Sequence, residues 1–178
     1  MILIIGTPDS GKSLLAENIA VEKSLGEKMA YIATMIPFGD EGKNRIERHK
    51  KLREGKNFIT FEEPYSVSGL ADEINVCRIN TALLECVSNL VGNVIHKDEN
   101  LDWDEDVLVN DIVADIEYLS EKIKNLIVVA NHFELKADYD ADTVRYVKIN
   151  NLVNEKLKEV AETYIVKEGK EWIYYDNN

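Results

Sequence analysis

Gly6, Thr7, Pro8, Asp9, Ser10, Gly11, Lys12 and Ser13 fit the pattern G-x-x-x-x-G-K-[ST]. Each fixed position has a task in holding a polyphosphate. Gly6 and Gly11 let the backbone turn tightly and bring its N–H groups against phosphate oxygens, Lys12 carries a point charge to the β- and γ-phosphates, and Ser13 offers a hydroxyl to Mg²⁺. An ordinary glycine-containing turn has the same composition, so the flanks decide. Met1 to Ile5 is a continuous apolar run of strand length, and Leu14, Leu15, Ile19, Val21 and Leu25 follow the motif at helical spacing. A strand, a glycine-rich loop and a helix N-terminus in that order make an anion site, because first-turn amides and the helix dipole both favour negative charge. The residues from Gly6 to Ser13 are therefore expected to bind ATP or GTP with Mg²⁺.

A second group suits the same ligand. Lys43, Arg45, Arg48, Lys50, Lys51, Arg53 and Lys56 crowd into one polar segment, and Arg45, His49 and Arg53 recur every fourth residue. On a helix that spacing stacks the three side chains on one face. Two guanidinium forks beside an imidazole match a polyphosphate, the arginines neutralising oxygens while the histidine attacks phosphorus or shuttles a proton. A solvated basic helix with a surface histidine would read the same way. Glu85 closes the buried-strand candidate Thr81 to Leu84. A carboxylate at the C-terminal end of a strand is where a P-loop protein places its Mg²⁺-associated acid, which would pair Glu85 with Ser13; a glutamate satisfied by a nearby backbone N–H is the alternative. Cys77 and Cys86 form no C-x-x-C pair, and His49, His96 and His132 stand singly, so no metal-ligand spacing exists and both cysteines read as reduced and structural.

The elements that must position these groups alternate. Strands are expected at Met1–Ile5, Met29–Thr34, Phe58–Phe61, Thr81–Leu84 and Asn125–Ala130, with helices after the loop, from Asp40 to near Gly55, at Ser66–Cys77, Cys86–Ile95, Val107–Ile123 and Asp142–Ala161. Asp40 is the expected cap of the basic helix, whose apolar residues, Ile46 and Leu52, are too few for a core helix. Strands separated by helices imply right-handed crossovers and a parallel sheet. Tyr164–Val166 and Trp172–Tyr175 flank a KEGK turn and read as an antiparallel edge hairpin. The fold expected is α/β, P-loop type, with helices on both faces. The acidic stretch His96–Asp106 reads as an exposed loop in which Trp103 is either a lid or an anchor. At 178 residues and a net charge of −12, residues 1–178 suit one well-buried domain that repels nucleic acid and anionic membranes. No run reaches the length of a membrane span and no charged leader precedes the first strand, so a cytoplasmic protein is expected.

The P-loop opening, Tyr31-Ile32-Ala33-Thr34, Asp40-Glu41, Arg45-Ile46 with His49 and Arg53, Thr60 with Glu62-Glu63-Pro64, Leu84-Glu85-Cys86 with Asn93, and the later Asn131 and Asn154 resemble the bifunctional adenosylcobinamide kinase / adenosylcobinamide-phosphate guanylyltransferase family of cobalamin biosynthesis. The likeness is collinear over essentially the whole chain. It implies two reactions: phosphorylation of the aminopropanol hydroxyl of adenosylcobinamide by a nucleoside triphosphate on the P-loop, and attack of His49 on the α-phosphate of GTP, followed by GMP transfer to adenosylcobinamide phosphate. It further implies Arg45 and Arg53 as stabilisers of charge on phosphorus, Glu63 as a nucleotide contact, corrinoid and nucleoside triphosphate as the small-molecule partners, and a homotrimer with sites between subunits. The chain departs from the family pattern at Thr7 and Asp9, where a glycine and an arginine are usual, after Asn131, and at Val147 and Lys148. Two other readings follow from those departures: a P-loop small-molecule kinase of other specificity, or a nucleotide-binding regulatory module without catalysis.

Overall fold

The computed structural model describes residues 1–100 and 103–177, and at residues 41 and 45 the backbone only. The first strand, β1 (Ile2–Gly6), leads through the glycine-rich loop into α1 (Lys12–Ser24) and β2 (Met29–Ala33). Then come α2 (Gly39–Arg53), β3 (Phe58–Glu62), α3 (Ala71–Val76), β4 (Thr81–Glu85) and α4 (Val87–Ile95). The chain ends with α5 (Glu105–Lys122), β5 (Asn125–Asn131), α6 (Ala141–Val160), β6 (Thr163–Glu168) and β7 (Glu171–Asp176). Short 3-10 turns lie at Val67–Leu70 and Asp98–Asn100. The sheet order is β3-β2-β4-β5-β1-β6-β7, parallel throughout except for the antiparallel β6–β7 edge pair. The expected architecture is therefore present, down to the hairpin.

Alternation along the central strands divides the interior in two. Leu3 and Ile5 of β1, Leu84 of β4 and Val128 of β5 face α3 to α6, while Ile4, Leu83, Ile127 and Val129 face α1. Period-2 burial of aliphatic side chains on both faces is what a central parallel sheet requires, and each such side chain contributes about 1.5–3 kcal/mol.

The helix α1 corrects the expectation for its apolar stripe. Its buried residues are Lys12, Ala16, Glu17, Ala20 and Ser24, whereas Leu14 is 52% and Leu25 90% exposed. Alanines let the helix lie close on β4 and β5, and the larger side chains turn outward. Asp40 likewise does not cap α2: the N-cap is Phe38, with no side-chain cap, and Asp40 lies in the first turn beside Lys43 at 3.6 Å. The expected helix at Ser66–Cys77 divides into a 3-10 turn and α3, and the Asp115 carboxylate accepts from Ser66 Oγ and from the Val67 and Ser68 amides at its start.

All the parallel strands end at one edge of the sheet. The register pairs Gly6 with Asn131 and Ala33 with Glu85, so the loop after β1, the acid of β4 and the end of β5 converge there.

Candidate active site

The phosphate loop is held by its own geometry. A Cβ on Gly6 would lie 2.5 Å from Ser10 Oγ, so a side chain there would displace the loop. Asp9 (φ 58°) and Gly11 (φ 89°) take left-handed backbone, a conformation glycine adopts freely and aspartate tolerates. The N-cap of α1 is Gly11, and no side chain caps it, which leaves the first-turn amides available to an anion. Lys12 is 6% exposed, and its Nζ donates to the Thr7 carbonyl at 2.9 Å, folding the ammonium over the loop.

Ser13 Oγ donates to Glu85 Oε1 at 2.6 Å, and Glu85 is 8% exposed. A hydroxyl and a carboxylate in contact at the mouth of an anion cradle are the hard oxygen donors that Mg²⁺ takes alongside phosphate oxygens and water, so the residues present fit that ion. Among the described residues no cluster of three or more His, Cys, Asp or Glu side chains forms a metal cage. An ion completed by substrate phosphates needs none.

Two cavities meet at this edge. One, of about 230 Å³, is lined by Asp9, Lys12, Ser13, Arg48, Glu85 and Asn131, among others; its neighbour, of about 110 Å³, by Tyr31, Pro37, Ile46, Arg53, Thr60 and Glu62. His49, Glu85 and Cys86 line both. His49 is half-buried and reaches this position because α2 is anchored near its C-terminal end. Arg53, 9% exposed, stacks its guanidinium 3.3 Å from the centre of the Tyr31 ring, and just beyond the helix Lys56 Nζ meets Glu17 Oε2 of α1 at 2.6 Å. Burial pushes the Tyr31 phenol above its ordinary pKa, with the Glu85 carboxylate adding to the rise, so the ring stays neutral beneath the arginine.

The walls are pinned by polar side chains from the strand ends. Thr34 Oγ1 donates to the Cys86 carbonyl at 2.8 Å and accepts from the Cys86 amide at 2.9 Å. Asn93 Nδ2 bridges the carbonyls of Thr34 at 2.7 Å and Pro64 at 2.9 Å.

Lys12, Ser13, His49, Arg53 and Glu85 are thus brought together. The side chain of Arg45 lies outside the described residues. Glu63 is not brought in: its Oε1 accepts from the amides of Tyr65 and Ser66, and Glu62, paired with Ala33 at the strand end, lines the smaller cavity instead. Thr7 and Pro8 are exposed on the loop. Trp103 lines neither cavity, and its carbonyl accepts from Arg145, which makes it an anchor of its loop. His132 is exposed, its amide bonded to the Gly6 carbonyl at 3.0 Å. Arg48, Tyr31 and Asn131 were not among the expected site residues. The neighbour position to His49 signals Arg48, while Tyr31 sits in an apolar strand and carries no local signal.

No curated protein matches the chain. Among solved structures, the ATPase domain of another protein superposes with a TM-score of 0.56 at 8% identity, covering 93% of this chain and 68% of that one, which establishes a P-loop ATPase fold. The flagellar accessory protein FlaH from Methanocaldococcus jannaschii gives 0.48 at 14% identity over 97% of this chain and 74% of its own. No helix among the described residues is long and apolar enough to cross a membrane. A family model described as cobinamide kinase / cobinamide phosphate guanyltransferase matches residues 2–172.

Proposed function

The chain belongs to the cobinamide kinase / cobinamide phosphate guanyltransferase family, and from that premise we propose that it carries out both reactions of that description at the paired cavities. The observation that carries the reading is the position of His49, which lines the phosphate cavity together with Lys12, Ser13 and Glu85 and opens equally onto the neighbouring one.

In the kinase reaction the aminopropanol hydroxyl of adenosylcobinamide attacks the γ-phosphorus of ATP or GTP. The new O–P bond replaces the bond to the β–γ bridging oxygen, and the nucleoside diphosphate leaves with that electron pair. The loop amides and Lys12 hold the β- and γ-phosphates, and their charge offsets what accumulates on the leaving oxygen. Ser13 and Glu85 would hold Mg²⁺, which supplies further charge neutralisation when bound.

In the transferase reaction a ring nitrogen of His49 attacks the α-phosphorus of GTP and pyrophosphate departs. A phosphate oxygen of adenosylcobinamide phosphate then displaces the imidazole, giving adenosylcobinamide-GDP and the free histidine. Arg53 and Arg48 supply positive charge along these walls, and Arg45 is proposed beside them on the resemblance. Leu14 and Leu52 are exposed at the rim of the phosphate cavity, which supports the homotrimer with shared sites that the resemblance implies. We place the activity in the cytoplasm, where nucleoside triphosphates are made.

Incubation with γ-labelled ATP and adenosylcobinamide tests the first reaction. Labelled adenosylcobinamide phosphate is expected from the unaltered protein, with a fall of about 100-fold or more in Lys12→Ala. Asp9 lines the phosphate cavity and favours one second reading, a nucleotide-binding module without catalysis. Tight nucleotide binding with no transfer to any corrinoid would be its signature.

A further inference from the structure

The C-terminal end of β5 carries a polar group that neither reaction yet uses. Asn131 is 6% exposed and lines the phosphate cavity with Lys12, Ser13 and Glu85. Its main chain is fixed with unusual thoroughness. The amide donates to Ser88 Oγ at 2.9 Å, and the carbonyl accepts from both Asn150 Nδ2 at 2.8 Å and Asn154 Nδ2 at 2.9 Å. Asn150 and Asn154 lie one turn apart on α6, each less than 2% exposed, and each leaves its own Oδ1 without a hydrogen-bond partner among the described residues. Buried amide oxygens left unsatisfied cost free energy, so committing two of them to hold one carbonyl ties the position of residue 131 to the back of the molecule.

The Asn131 side chain is then held opposite Gly6, where the phosphate loop begins. Its Nδ2 faces Cys86 Sγ at 3.9 Å, and its Oδ1 is buried with no partner among the described residues. The loop amides and Lys12 are donors, suited to phosphate oxygens, and Glu85 is engaged with Ser13. Asn131 therefore contributes a neutral acceptor. An amide oxygen cannot bind phosphate oxygens, which are acceptors too, but it can orient a hydroxyl without adding negative charge beside the phosphates.

We propose that Asn131 Oδ1 accepts a hydrogen bond from the alcohol that receives the γ-phosphoryl group, and so aims the hydroxyl oxygen at phosphorus. The proposal rests on the kinase half of the function proposed above. The hydroxyl oxygen forms the new bond to phosphorus, the bond to the β–γ bridging oxygen breaks with its electrons leaving on the nucleoside diphosphate, and the hydroxyl proton passes to an oxygen of the transferred phosphoryl group. Asn131 is not a base in this step; it selects the rotamer of the hydroxyl from which attack is in line.

The test compares the unaltered protein with Asn131→Ala and Asn131→Asp. Nucleotide affinity is read by titration with a fluorescent ATP analogue and Mg²⁺, and kcat/KM for adenosylcobinamide is read by transfer of label. Asn131→Ala is expected to lose about 10- to 100-fold in kcat/KM for the alcohol with nucleotide affinity changed by less than about threefold. Asn131→Asp keeps an acceptor oxygen and is expected to recover part of that loss. Undiminished transfer by Asn131→Ala would overturn the proposal alone. An equal loss of nucleotide affinity in Asn131→Ala, or transfer in Asn131→Asp lower than in Asn131→Ala, would overturn it as well, by placing the Nδ2 group on a phosphate oxygen. Absence of any transfer by the unaltered protein would instead remove the kinase reading beneath it.

Discussion

Asp9 is the residue at which this chain argues most with its own motif. Its left-handed backbone keeps the loop in shape, yet its carboxylate lines the cavity that receives phosphate. Opposed charges that face solvent are worth little individually, so Asn in its place, which tolerates the same backbone, is expected to tighten binding of Mg²⁺-ATP by about 2- to 5-fold. Isothermal titration at low and high salt checks this, and the gain should shrink as ionic strength rises. The residue scale is also where sequence reading reached furthest and then stopped. Lys12, Ser13 and Glu85 were legible because a loop motif and a strand end are local patterns. The Arg53–Tyr31 stack and the role of Glu62 rather than Glu63 were not, since the first joins two elements and the second depends on where β3 stops against β2.

At the scale of elements, the positions of helices were legible and their buried faces less so. The basic helix was read correctly as too polar for the core, but its anchoring by the Glu17–Lys56 pair depends on a glutamate buried in α1, which apolar periodicity does not reveal. The apolar residues of α1 pointed sequence reading to the wrong face because alanine, not leucine, makes the close contact. A different junction sets a pH dependence. His96 ends α4 with Nδ1 against the Gly92 carbonyl at 2.8 Å and Nε2 against Asp142 Oδ2 at 2.9 Å, at the start of α6. Two acceptors satisfy the ring only when both nitrogens carry protons. The bond to Asp142, and after it the bond to Gly92, raise the His96 pKa above its ordinary value. A raised pKa in the folded state means the junction stabilises the protein below the unfolded histidine value, about 6.5, and stops doing so as pH rises through the folded value. The group is partly exposed, so the contribution stays under about 1 kcal/mol. Melting temperatures of the unaltered protein and His96→Ala should differ most near pH 5 and converge in mildly alkaline buffer.

Over the whole molecule, charge and topology work in opposite directions on an anionic ligand. A net charge of −12 repels nucleotides at a distance, while the loop amides, Lys12, Arg48 and the buried Arg53 gather at one edge of the sheet. That edge exists because right-handed crossovers bring every parallel strand out on the same side, which the alternation of strands and helices made readable in advance. The order of strands was not readable, and it is the order that sets β5 between β1 and β4 and Asn131 beside the phosphate loop. The central claim is that His49, on a polar helix over this edge, is the nucleophile toward GTP. Intact-mass and peptide-level mass spectrometry after incubation with GTP and Mg²⁺ tests it most directly. One GMP adduct located on His49, acid-labile and absent from His49→Ala, is the expected result; no adduct, or one that persists in His49→Ala, would contradict it.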